Sequence, residues 1–162
     1  MHDVDEYRRD VRDTQQFAKD IKEGTNVERI IIEKFVQILK RKTDGTMNFV
    51  IKNHGCGNSG EWLSPNRVST KADFDINGNL IEVKFCRPFS EMFHFKVHQI
   101  QSCILQSASI LFVNGYGTSS PKYTYLTKSE LIEFSKKYKK VSYWEKETFE
   151  VPAKDLYWED FI

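Results

Sequence analysis

Asp73, Glu82 and Lys84 are the residues of this 162-residue chain whose types and spacing most suggest chemistry. They lie in the stretch Ser69 to Phe85, where Asn77-Gly78 reads as a two-residue hairpin turn. With that turn Ile76 faces Asn79, Asp75 faces Leu80, Phe74 faces Ile81 and Asp73 faces Glu82. Alternation then puts Asp73, Asp75, Glu82 and Lys84 on one face, and Phe74, Ile76, Ile81, Val83 and Phe85 on the other. Like charges directly opposite each other destabilise a sheet. A divalent cation between the two carboxylates would relieve that repulsion, and Mg²⁺ binds through one or two carboxylates while keeping waters. Lys84 projects to the same face, where it can orient or help deprotonate a metal-bound water. The competing reading is a solvated polar face with Lys84 neutralising Glu82. The apolar alternation of Ile81, Val83 and Phe85 marks a buried strand and favours the first.

The elements that must hold these residues follow from periodicity. Val4, Tyr7, Val11, Phe17 and Ile21 recur at helical spacing, with Gly24 as a stop. Thr25-Asn26-Val27-Glu28 reads as a capping box opening a second helix to about Lys42. On that helix Val27, Ile31, Phe35 and Ile38 form an apolar arc. Glu28 lies at its edge, within reach of a sheet, and Glu33 on the far side. Glu28 is equally explained as the reciprocal residue of the box, and both readings stay open. A strand is expected at 47–52, the hairpin at 71–86, a helix from Val97 to Ser107, and strands at 110–113 and 123–126. Thr127-Lys128-Ser129-Glu130 is a further capping box, opening a helix to about Lys140. Short strands near 141–144 and 148–151 close the chain. This order predicts an α/β protein with a central mixed sheet flanked by helices.

Composition bounds the reading. With 40% hydrophobic and 14% aromatic residues the chain is not disordered, and its length suits one domain spanning 1–162, with 1–24 a peripheral or dimerising helix. No apolar run is long enough to cross a bilayer, and the start, Met1-His2-Asp3-Val4-Asp5-Glu6, lacks the basic-then-apolar order of a secretory signal, so a cytoplasmic location is expected. Cys56, Cys86 and Cys103 are odd in number and widely spaced, which speaks against a disulfide framework. His54 and Cys56 have no further ligands at zinc-site spacing. The formal net charge of +1 is low for a protein that simply coats nucleic acid. Residues 25–60 are nonetheless net basic, and Asn53–Thr70 is rich in Gly, Asn and Ser without a period. A loop of that length is usually functional or mobile. Glycine amides approach phosphates closely, so Lys52, Asn58, Ser59, Arg67 and Lys71 are the candidate phosphate-contacting residues, the ones expected to hold DNA if the partner is a nucleic acid.

Asp73, then Glu82-Val83-Lys84 after a short turn, resembles the core of the PD-(D/E)XK nuclease superfamily, with Ala72 standing where proline is usual. Gly24-Thr25-Asn26-Val27-Glu28-Arg29 is similar to the Gly-x-x-x-Glu-Arg start of archaeal-type Holliday junction resolvases. Ser69–Phe74, Glu82–Lys84 and Phe93-His94-Phe95-Lys96-Val97-His98-Gln99-Ile100 together most resemble RecU-type Holliday junction resolvases. That likeness spans roughly residues 24–155 and is closest over 69–113. It has no long counterpart of the stalk found before the first acid in RecU-type enzymes. The resemblance implies a restriction-endonuclease-like fold, with Asp73 and Glu82 as metal ligands, Lys84 assisting the attacking water, Glu28 as an auxiliary acid and Gln99 lining the site. Helical periodicity brings Gln101 nearer than Gln99 to the Val97/Ile100/Ile104 stripe, so either glutamine remains a candidate. The expected function is a Mg²⁺-dependent endonuclease, with Mn²⁺ as a substitute, acting on DNA. In its most specific form it is a homodimeric four-way-junction resolvase of DNA recombination and repair. The alternatives are a site-specific restriction or homing-type endonuclease with the same core, and a non-catalytic DNA-binding module.

Overall fold

The computed structural model describes residues 14–55 and 71–162, without the side chains of 14–22 and 25. The expected helix over Val4–Ile21 lies partly outside them, as do Cys56, Asn58, Ser59 and Arg67 in the long loop.

The first element is one helix, α1 (Thr14–Lys42), and this corrects the reading of two helices parted at Gly24. A single glycine inside a helix costs only about 1 kcal/mol relative to alanine, and here the helix runs through it. Thr25-Asn26-Val27-Glu28 is therefore helix interior, not an N-terminal box. The last turn carries Lys40, Arg41 and Lys42, which suit the negative end of the helix dipole.

Three strands follow the helix: β1 (Ile51–Asn53), β2 (Phe74–Ile76) and β3 (Asn79–Cys86). The β2–β3 register is the one that the Asn77-Gly78 turn dictates: Phe74 opposite Ile81, Asp75 opposite Leu80, Ile76 opposite Asn79. Asn77 and Gly78 both have positive φ, 51° and 88°, as this turn requires. Asp75 is used up in the turn, its Oδ1 accepting from the Gly78 N–H at 2.7 Å. The Asn77 side chain ties the turn back to residues 48 and 50.

After β4 (Met92–Lys96) come α2 (Val97–Gln106), β5 (Ser109–Asn114), β6 (Lys122–Leu126) and α3 (Lys128–Lys137). The chain ends in β7 (Lys140–Tyr143), β8 (Lys146–Pro152), a short 3₁₀ turn and β9 (Glu159–Asp160). The Thr127/Glu130 capping box forms as expected at α3. The central sheet runs β1-β2-β3-β5-β6-β9. Only β3–β5 is parallel, which makes the sheet mixed. A second, antiparallel sheet runs β4-β8-β7.

The two faces of the central sheet bury different partners. Phe74, Ile76, Ile81, Val83, Leu111 and Val113 pack against Ile31, Ile32, Phe35, Val36 and Ile38 of α1. Ile110 and Phe112 turn the other way, toward Val97, Ile100 and Cys103 of α2, Leu131 and Phe134 of α3, and Phe93, Phe95 and Phe149 of the small sheet. By alternation Glu82 and Lys84, the neighbours of Ile110 and Phe112 across the β3–β5 ladder, share this second face. Among the described residues no helix is long and apolar enough to cross a membrane.

Candidate active site

The site is built where β2, β3 and α2 meet. Glu82 and Lys84 project from the middle of β3 and Asp73 from the residue before β2, all half-buried. The Asp73 Oδ2 accepts a hydrogen bond from the backbone N–H of Val83 at 2.8 Å, so one acid is fixed against the strand carrying the other. The Asp73 main chain is held as well: its carbonyl accepts from the N–H groups of His54 (3.0 Å) and Gly55 (3.3 Å) at the end of β1. Gly55 lies so close that a β-carbon there would meet the carbonyl oxygens of Lys71 and Ala72 at 3.0 and 3.1 Å.

Electrostatics ties a fourth group to these three. Glu28, half-buried on α1, feels the charges of Asp73 and Glu82. Burial, then those two carboxylates, push its pKa up to about 8, against the opposing pull of Lys84. Burial raises Asp73 to about 6, while the Val83 N–H and Lys84 favour its charged form. Glu82 rises to about 7 through burial and the Asp73 charge, with Lys84 and the Asp73 backbone N–H opposing. Three half-buried acids thus act on one another, and among the described residues Lys84 is the cation whose charge reaches all three. Two such carboxylates fit a hard divalent cation, which needs only one or two of them and completes its shell with water. Among the described residues no three His, Cys, Asp or Glu side chains converge on one metal position.

The structure therefore brings Asp73, Glu82, Lys84 and Glu28 together and leaves Glu33 apart. Glu33 is exposed and pairs with Arg29 at 3.2 Å, while Arg29 also reaches Asn53 Oδ1 at 3.1 Å and so joins α1 to β1. Gln99 is half-buried in the first turn of α2 and Gln101 is exposed. Lys52 and Lys71 are exposed at either end of the long loop.

Two residues of the site escaped the sequence reading, and both are on α2. Cys103 is buried, and its thiol is pushed up to about 12 by burial and by the Glu82 and Asp73 charges, against Lys84. Gln106 accepts a hydrogen bond from the Ala72 N–H at 2.9 Å through Oε1. The signal was present: Val97, Ile100, Cys103 and Gln106 recur every three residues, so a polar side chain continues the buried stripe of the helix.

No protein-family model matches this chain, and no curated protein sequence matches it. Among solved structures it is similar to Hjc, a Holliday junction resolvase from the archaeal hyperthermophile Archaeoglobus fulgidus. The identity is 10%, the match covers 78% of this chain and 86% of that one, and the TM-score is 0.41.

Proposed function

We propose that this protein is a divalent-metal-dependent endodeoxyribonuclease, and that its substrate is branched DNA cut by a homodimer. The observation that carries the reading is the mutual fixing of Asp73 and Glu82 across β2 and β3, with Lys84 on the same face and Glu28 arriving from α1. In this reading Asp73 and Glu82 hold the cation, Mg²⁺ with Mn²⁺ as substitute. When bound, it neutralises charge on the scissile phosphate and makes a water acidic enough to attack.

The chain's own residues do the rest. The Lys84 ammonium orients the attacking water and stabilises the negative charge that builds on the phosphate oxygens. Glu28, whose carboxyl is easily protonated in this surrounding, can hold a proton beside that water. A water oxygen forms the new P–O bond, one ester P–O bond breaks, and the departing oxygen takes up a proton. A two-fold dimer suits a four-way junction because two symmetry-related strands are cut.

The test uses purified protein with Mg²⁺ on a four-way junction, a duplex of matched sequence and a flap. Paired, symmetric cuts on the junction alone support the resolvase. Cutting of the duplex at one sequence would move the reading to a site-specific endonuclease, and binding with no cutting in either metal would make the protein a DNA-binding module.

A further inference from the structure

We propose that Gln106 is a positioning residue for the metal site, acting through the backbone of Ala72 to set where the Asp73 carboxylate points; this rests on the nuclease reading above.

Ala72 is buried, at 1% exposure, so its backbone N–H has no access to water and needs a partner. Gln106 supplies one at 2.9 Å. The Gln106 amide is itself braced, its Nε2 donating to Ser102 Oγ at 2.8 Å and to the Ser102 carbonyl at 3.2 Å one turn earlier on α2. Both ends of a flexible side chain are thus held, and its rotamer is fixed.

What is fixed is the residue immediately before Asp73. The Asp73 carbonyl is held from the other side by the His54 and Gly55 N–H groups, and its carboxylate by Val83. Clamping from β1, β3 and α2 leaves the acid one direction. Asp73 and Glu82 must meet one cation together, so a shift of the Ala72–Asp73 peptide changes their separation directly. Groups that orient metal ligands from outside the ligand shell typically alter metal affinity or activity by roughly 10–100-fold when removed. The Gln106 contact is of that kind, made through the main chain.

The experiment compares wild type with Gln106→Met, which keeps the length of the side chain and loses all three hydrogen bonds, and with Ser102→Ala, which removes only the hydroxyl half of the brace. Mn²⁺ binding to the DNA-free protein is measured by calorimetry, beside single-turnover junction cleavage, junction affinity in EDTA and thermal midpoint in EDTA. Gln106→Met is expected to bind Mn²⁺ about 10-fold more weakly and to cut correspondingly slower, with junction affinity unchanged. Ser102→Ala is expected to shift the same quantities in the same direction by less. A Gln106→Met protein with a lower thermal midpoint but wild-type Mn²⁺ affinity would overturn the proposal and leave Gln106 a structural bond. If Gln106→Met does not fold, wild-type Mn²⁺ affinity in Ser102→Ala overturns it equally. A wild-type protein that neither binds Mn²⁺ nor cuts would fail at the nuclease reading itself, taking this inference with it.

Discussion

The Asp73 carboxylate and the Val83 backbone N–H, 2.8 Å apart, join the two acidic strands of the site by a bond that needs no metal. In the proposed nuclease Asp73 would therefore have two duties, and replacing it with alanine would confuse them. Alanine leaves a buried N–H on β3 without its acceptor, at about 1–3 kcal/mol. Asparagine keeps an oxygen for that N–H and removes the charge. Asp73→Asn, Glu82→Gln and Lys84→Met are each expected to lower Mg²⁺-dependent cleavage by roughly 100-fold or more, with the fold and junction binding in EDTA retained. Retained cleavage in Glu82→Gln would sink the nuclease reading. Single-turnover assays and gel-shift titrations on the same preparations decide it.

The three acids make stability depend on pH in a definite direction. Glu28, Asp73 and Glu82 have folded pKa values raised to about 8, 6 and 7, above their ordinary values of 4.5, 3.8 and 4.5. Between these limits the folded protein holds more protons than the unfolded chain, so stability falls as pH rises. The contribution is fully present below about pH 4 and is lost progressively as pH rises from there through the folded values, up to about pH 8. Thermal midpoints in EDTA should decline across this range. Saturating Mg²⁺ should flatten the decline, because a ligand that binds only the folded state stabilises it most where the carboxylates are charged. A midpoint rising steadily from pH 5 to 8 in EDTA would contradict the arrangement.

Glu28 and Glu33 separate cleanly in the structure. Glu28→Gln removes a buried charge that two neighbouring carboxylates oppose, so the metal-free protein should become more stable at pH 8 while cleavage slows about 10-fold or more. Glu33→Gln breaks only an exposed pair with Arg29, of the kind contributing about 0–1 kcal/mol, and should leave cleavage unchanged. Equal, small effects from both would reduce Glu28 to a helix residue.

How far the sequence carried differs by element, for physical reasons. The register of the hairpin was legible because Asn77-Gly78 admits essentially one short turn, which sets the pairs from Phe74–Ile81 inward; the first strand begins at Phe74, so Asp73 stands just outside the ladder. The joining of Thr25–Glu28 into α1 was not, since glycine and threonine read as punctuation although a long helix tolerates both. Phe93 and Phe95 were seen only as part of a Phe-rich run. Their strand, β4, pairs with β8 more than fifty residues later, as His94 opposite Glu150 shows, and local pattern carries no sign of such a partner. For Glu28 the sequence left two readings open, site acid and capping-box partner, and the helix running past it leaves no cap for it to fill.

Gly55 lies close to the main chain of residues 71 and 72. Its N–H donates to the Asp73 carbonyl, and a β-carbon would press on two main-chain oxygens at 3.0 and 3.1 Å, neither of which can rotate away. Gly55→Ala is expected to cost about 1–3 kcal/mol in stability and to weaken cleavage, because the displaced peptide is the one before Asp73. Chemical denaturation and the cleavage assay together check this; an alanine variant of unchanged stability and rate would mean that β1 gives way without moving the acid.

Strand positioning is expected to fall to the exposed cations that flank the long loop. Lys52 stands on β1 opposite Asp75 with its side chain exposed, just before the turn of chain that holds Asp73. Arg67 lies in the loop, outside the described residues. If each meets one phosphate, Lys52→Ala and Arg67→Ala should weaken junction binding. Each should also flatten the dependence of log affinity on log salt by about 0.9 for duplex arms or about 0.7 for a single strand. The cleavage rate at saturating DNA should hold if both groups act only on binding, and the folded stability should move by less than about 0.5 kcal/mol. Junction affinities at several salt concentrations, wild type beside each variant, give the slope. An unchanged affinity and slope in both would remove this loop from the DNA path and move the search to Lys136, Lys137, Lys139 and Lys140, the lysines clustered between the end of α3 and the start of β7.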